Sequence, residues 1–84
     1  MKTILDYPFG TRVRCISSFA REELKGKMGK LLWVKSASVC IEFDEFINGH
    51  DGAYMGKKGK EGHCWWINYD RVEVIANNTS EIEE

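Results

Sequence analysis

His50 and Asp51, with His63 across a glycine-rich loop, form the one acid–base cluster in this sequence. An imidazole beside a carboxylate has the makings of a general base. Cys64 follows His63 directly, but neighbours along a strand point to opposite faces, so His63 is poorly placed to activate that thiol. No serine or cysteine nucleophile stands with them in a recognisable motif, and the expectation is a protein that is not an enzyme. An aspartate before glycine suits a turn held by backbone amides, which is the structural role open to Asp51. His50 has a matching one, capping the loop or bonding a backbone carbonyl. Zinc held by His50, His63, Cys64 and a second cysteine lacks the usual ligand spacing, so no metal or other cofactor is expected.

Binding chemistry has more to work with. Trp65 and Trp66 are adjacent, so in a regular strand one of them must leave the core. Trp65 shares a face with Ile67, and Trp66 shares one with Cys64 and Asn68. An aromatic left at a surface groove is a common binding anchor; the competing reading has the loop fold over it as a satellite core. Lys57, Lys58 and Lys60 form a basic knob near Tyr54 and the tryptophans, with Phe46 earlier in the loop. Lysines among aromatics can grip phosphates and stack bases, although such a run also suits a solvated loop.

These residues fall in residues 41–66, where an apolar strand ends, a loop follows and the two tryptophans return the chain to apolar sequence. Five of the eight glycines lie there, at 49, 52, 56, 59 and 62. That spacing suits a loop with several left-handed or tightly packed positions. A loop of about twenty residues in so small a domain is usually functional or disordered.

The remaining chain reads as scaffold. Its 84 residues make one domain, with 43% hydrophobic and 30% charged residues placing it among ordinary globular chains. No apolar run approaches a membrane span and residues 1–8 lack a signal-peptide core, so a cytoplasmic protein without membrane association is expected. The net charge is −1, and without the three glutamates of residues 76–84 the body carries +2, too near neutral to imply nucleic acid by bulk charge. Three widely spaced cysteines, at 15, 40 and 64, read as reduced thiols packed as small hydrophobes.

Residues 6–10 form a first turn around Pro8 and Gly10. Residues 11–17 read as a strand with Val13 and Cys15 on one face and Arg12, Arg14 and Ile16 on the other. Residues 18–26 suit one or two helical turns capped by Ser18 and stopped by Gly26, or a loop that tucks Phe19 and Leu24 beneath the sheet. Residues 31–34 and 39–43 form a hairpin, the second strand sending Val39, Ile41 and Phe43 inward. Residues 63–68 are a fourth strand, 69–71 a tight turn and 72–75 a fifth strand. Five short strands of this kind predict an all-β fold, a small, strongly bent barrel that closes on itself, spanning residues 1–75 and followed by a frayed acidic tail at 76–84.

Gly10-x-x-Val13-x-Cys15, then Gly26-Lys27-Met28-Gly29-Lys30-Leu31-Leu32-Trp33-Val34, then Val39-Cys40-Ile41-Glu42-Phe43-Asp44 and a final Arg71-Val72-Glu73-Val74-Ile75 resemble a small five-stranded Src-homology-3-like barrel. Within it, Ile41 to Glu45 with Asp51-Gly52 and Gly56, and Gly62 to Ile67 with Arg71-Val72, resemble segments of the CAP-Gly domain, a barrel that binds carboxy-terminal tails of tubulin. The family's Gly-Lys-Asn-Asp-Gly motif stands here as Asn48-Gly49-His50-Asp51-Gly52 and its later aromatic segment as Lys57-Lys58-Gly59-Lys60, so tubulin-tail binding does not carry over. The whole chain is similar to small barrel proteins of phages and prophages of Gram-positive bacteria, with Phe43-Asp44-Glu45, Gly49-His50-Asp51 and Gly62-His63-Cys64-Trp65-Trp66 as shared features. That resemblance implies an accessory phage protein that binds and inhibits a host factor such as a defence complex.

The expectation is therefore a non-enzymatic protein-binding module whose site draws on Phe46, His50, Asp51, Tyr54, Lys57, Lys58, Lys60, His63 and Trp66. The alternative is a nucleic-acid-binding barrel that adds Arg12 and Arg14.

Overall fold

A computed structural model describes residues 4–18 and 21–76. The expected frayed tail, apart from Ala76, and the placement of Phe19 lie outside the described residues.

Five strands form one antiparallel sheet: β1 (Arg12–Cys15), β2 (Met28–Lys35), β3 (Ser38–Phe43), β4 (Cys64–Asn68) and β5 (Val72–Ala76), in the order β4-β3-β2-β1-β5. The all-β expectation holds. Among the described residues three short 3₁₀ turns occur, at Ile4–Asp6, Glu22–Leu24 and Tyr69–Arg71. Among the described residues of the helical segment expected at 18–26, the turn Glu22–Leu24 is the one that forms; it follows Arg21 without a side-chain cap, so Ser18 does not cap it. Gly26 takes a left-handed φ of 86° and ends the segment, and Leu24 is fully buried.

β4 and β5 occupy opposite edges, yet the turn Tyr69–Arg71 alone joins them. In a flat sheet four strand spacings would separate these edges by about 19 Å, whereas the link from residue 68 to 72 reaches at most about 14 Å. The sheet must curl. Its edges share no ladder, so the closed hydrogen-bonded barrel expected from the sequence is not formed and the sheet stays open.

Alternation places Val13 and Cys15 of β1, Val39, Ile41 and Phe43 of β3 and Ile67 of β4 in the inner core with Leu24, Leu31 and Val72. β2 departs from alternation. Leu31 pairs with Ile41 but Val34 pairs with Val39, so the ladder slips by one residue between them. This bulge keeps Leu31 and Val34 on the inner core and leaves both Leu32 and Trp33 outside, with Cys40, Cys64 and Trp66. The sheet therefore has a second, smaller apolar cluster on its outer face.

Candidate functional site

Of the loop 44–63, the part around Gly52 and Gly59 covers that outer cluster, whereas Ile47 near its start is buried in the inner core. The loop begins and ends beside itself, because the Phe43 amide donates to the His63 carbonyl at 2.8 Å. Gly52, with φ of 68°, sits so close to the sheet that a Cβ there would meet Cys40 Sγ at 2.8 Å and Cys64 Sγ at 3.2 Å. A Cβ on Gly59 would meet Leu32 Cδ1 at 2.7 Å. These glycines allow backbone to press on side chains, which a larger residue forbids. The Trp33 indole N–H donates to the Gly52 carbonyl at 2.9 Å and fastens the loop to β2.

At the loop's far end the Tyr54 and Lys57 backbones exchange both hydrogen bonds, at 2.7 and 3.0 Å, around Met55 and Gly56 with φ of 54° and 81°. Two central residues with positive φ match the twist of a tight hairpin. The hairpin stands Tyr54 edge-on to Trp66, with ring centroids 5.7 Å apart. Lys35 lies over the Tyr54 ring and Lys57 over the Trp33 ring. Phe9, 58% exposed, also stacks on Trp33, with ring centroids 6.2 Å apart, and carries Lys30 above it. Two grooves flank the hairpin. One, of about 440 Å³, is lined by Lys35, Ser36, Ser38, Ala53, Tyr54 and Trp66; the other, of about 580 Å³, by residues including Phe9, Lys30, Trp33, Lys57 and Lys58.

The residues expected to form one site fall into two groups. Tyr54, Lys57, Lys58 and Trp66 belong to this outer surface. His50, His63 and Phe46 lie on the side of Trp65: His50 stacks on Trp65 at 5.5 Å, and Phe46 meets the His63 ring edge-on at 5.9 Å. Arg21 lies over Trp65, 4.9 Å from its centroid. Lys60 joins neither group by its side chain; its amide donates to Glu42 Oε1 and its carbonyl accepts from the Cys64 thiol. Sequence reasoning missed Phe9, Lys30, Trp33 and Lys35. The one local signal was the run Leu31-Leu32-Trp33-Val34, whose four apolar residues cannot alternate without a bulge or a covered outer face.

The acid–base cluster is not assembled. His63, 8% exposed, must donate from Nδ1 to the Phe43 carbonyl at 2.9 Å, because that carbonyl can only accept. His50 Nδ1 accepts the Gly52 amide at 2.8 Å, so a neutral ring carries its proton on Nε2. Asp51 accepts the Ala53 amide at 3.0 Å and does not orient His50. All three hold the loop, as the turn reading of Asp51 and His50 expected.

The thiols are sealed. Cys15, Cys40 and Cys64 are all buried and unpaired in disulfides. Burial, and then Cys64 beside it, push the Cys40 thiol up to about 12. Burial and the nearby Glu42 raise Cys64 as well. A raised thiol is a poor nucleophile at neutral pH. No cluster of three or more potential metal ligands occurs among the described residues.

Charge is distributed unevenly. Arg12 makes a two-pronged ion pair with Asp44, its Nη1 donating at 2.9 Å, and Arg14 pairs with Glu73 at 2.7 Å. The pairing holds the Asp44 carboxyl below its ordinary range and raises Arg12. Lys30 has Glu42 at 3.8 Å. Among the described residues Lys25, Lys35, Lys57, Lys58 and Lys60 have no carboxylate partner. Apart from Lys25, which follows the turn Glu22–Leu24, these unpaired lysines collect on the outer aromatic surface and its rim.

Compared with known proteins, the chain matches no family model, no curated protein and no solved structure. No helix among the described residues is long and apolar enough to cross a membrane.

Proposed function

We propose that this chain is a non-enzymatic protein-binding module on a half-open barrel of the Src-homology-3-like type. It docks its partner on the outer surface of Phe9, Trp33, Tyr54 and Trp66 with Lys30, Lys35, Lys57 and Lys58. The observation that carries this reading is the concentration there of partly exposed aromatics with three lysines, Lys35, Lys57 and Lys58, that have no carboxylate partner among the described residues, beside two grooves. Aromatic side chains supply large contact area at low entropic cost, and lysine heads select an anionic partner. The barrel assignment is supported by five short antiparallel strands, the β2 bulge and the single 3₁₀ turn that joins the two edges. The resemblance to phage and prophage barrels supports a cytoplasmic accessory protein that binds and inhibits a host factor such as a defence complex, without a cofactor.

The lysines also favour a second reading, a single-stranded nucleic acid on the same surface. Against it, both Phe9 and Lys57 pack on the Trp33 ring, and Lys35 covers Tyr54, so bases would have to displace these groups before stacking. Salt separates the two readings, because phosphate contacts weaken steeply as salt rises. The test is capture from host lysate with wild type and with Tyr54→Ala/Lys57→Glu, washed at low and high salt. A protein that survives high salt with wild type and is lost with the variant supports the module. Recovery of nucleic acid alone, at low salt only, supports the second reading instead.

A further inference from the structure

The register of β4 determines where its backbone points. The Cys64 amide and carbonyl exchange hydrogen bonds with His50, at 3.1 and 3.0 Å, on the side away from β3. Cys64 therefore faces outward, and with a two-residue period so do Trp66 and Asn68, while Trp65 and Ile67 face Ile41 and Val39. Of these three outward residues His50 meets only Cys64; its carbonyl also accepts the Gly62 amide. Among the described residues the outward N–H and C=O of Trp66 and the outward N–H of Asn68 have no backbone partner. Such an edge is a template for another strand.

The groove beside this edge carries positive charge. Lys35 pairs with Ser38, and Ser38 pairs with Asn68, so the three form one row across β2, β3 and β4. The Trp66 side chain, Tyr54 and Lys35 line the groove next to the open amides.

Resting on the protein-binding reading, we propose that the partner presents an extended, acidic peptide segment that adds as a strand along Trp66 to Asn68. Its backbone takes up the free amides, one row of its side chains enters the groove over Trp66 and Tyr54, and a carboxylate meets Lys35. Main-chain bonds supply affinity and the groove supplies selectivity, as in other strand additions. A peptide fits better than a nucleic acid because the unmet groups are paired backbone donors and acceptors.

Asn68→Pro gives a clean test. Asn68 has φ of −61°, which proline adopts without strain, and its N–H points away from β3, so the substitution removes the outward donor and leaves the β3 ladder intact. The probe is a blocked heptapeptide alternating glutamate with threonine and valine, compared with its lysine counterpart and with a backbone N-methylated form. Titrations are followed by amide resonances and hydrogen exchange. The acidic peptide is expected to shift and protect the Trp66 amide. Asn68→Pro should weaken it by about ten-fold with an unchanged Tm, the order of a bond and its geometry, and Lys35→Glu should transfer preference to the lysine peptide. Absence of binding by the acidic peptide, equal binding of the N-methylated or lysine forms, or undiminished binding to Asn68→Pro overturns strand addition. So does a self-association broken by Asn68→Pro in sedimentation equilibrium, which assigns the edge to a second copy. If the acidic peptide perturbs only Trp33 and Lys57, strand addition fails while the protein-binding reading stands. If oligothymidylate binds and no peptide does, both fail.

Discussion

The Trp33 indole donates its N–H to the carbonyl of Gly52 at 2.9 Å, so a residue exposed by the β2 bulge holds the loop that covers the outer cluster. Each depends on the other. The bulge leaves Leu32 and Trp33 uncovered by the inner core, and the loop needs a flat apolar surface on which its glycines can settle.

Gly52 and Gly56 both have positive φ, but only Gly52 is crowded. Gly56→Ala carries the backbone cost alone, about 1 kcal/mol. Gly52→Ala adds a clash with Cys40 and Cys64 and should lose roughly a further 1–3 kcal/mol. Urea denaturation of the two variants measures the difference; equal losses would place the loop away from the thiols.

The thiols predict an alkaline weakness. The Cys40 pKa is raised in the folded state, so its contribution to stability is complete below the unfolded thiol value near 9 and is lost as pH rises toward about 12. Stability should fall in that window by at most about 1.4 kcal/mol per pH unit for this thiol. Cys40→Ala should flatten the slope. At pH 8 native Cys40 and Cys64 should resist iodoacetamide and react only on unfolding.

His63 holds Phe43 through a buried hydrogen bond. His63→Leu keeps an apolar side chain there and leaves that bond unmade, a cost of about 1–3 kcal/mol. Thermal unfolding should show the loss while partner binding by the remaining folded protein is retained, because His63 lies apart from the outer surface.

Charge variants distinguish surface from scaffold. Lys57→Glu with Lys58→Glu should abolish partner binding, whereas Arg12→Gln with Arg14→Gln should leave it nearly unchanged, because those arginines are engaged with Asp44 and Glu73. Exposed ion pairs contribute little, so the arginine variant should lose under about 1 kcal/mol per pair. Equal loss of binding in both variants would extend the interface across β1.

Trp66→Ala reads differently from a simple surface substitution. Trp66 packs on Leu32, Cys40 and Cys64, so its removal should lower Tm as well as binding. Lys35→Glu separates the two effects and should weaken an acidic partner with little change in Tm.

Alternation made β1 and β3 legible, since Val13 and Cys15, or Val39, Ile41 and Phe43, share a face in any regular strand. The same rule correctly separated Trp65 from Trp66. It was silent on β2, where a one-residue slip turns Leu32 and Trp33 to one side, and on Cys40, which looks outward by period yet is sealed by a loop distant in sequence. The loop's glycines were visible as a pattern. Their partners were not, because the approach of Gly52 to Cys40 and of Phe9 to Trp33 exists only once the sheet has curled. The histidines illustrate the converse: residue type suggested proton chemistry, and local backbone bonding claimed both rings.

The hydrogen bond from the Phe43 amide to the His63 carbonyl joins the two ends of the long loop. In terms of chain path, residues 44–62 are an insertion in a hairpin whose stem is already complete. Shortening them to a tight turn would lower the entropic cost of closure by only about 1–2 kcal/mol and leave the pairing of the five strands in place, so recognition and topology can diverge independently. A lineage could trade one loop for another of different length and chemistry, provided each new loop again roofs Leu32, Cys40 and Cys64 and fills the place of Ile47 in the inner core.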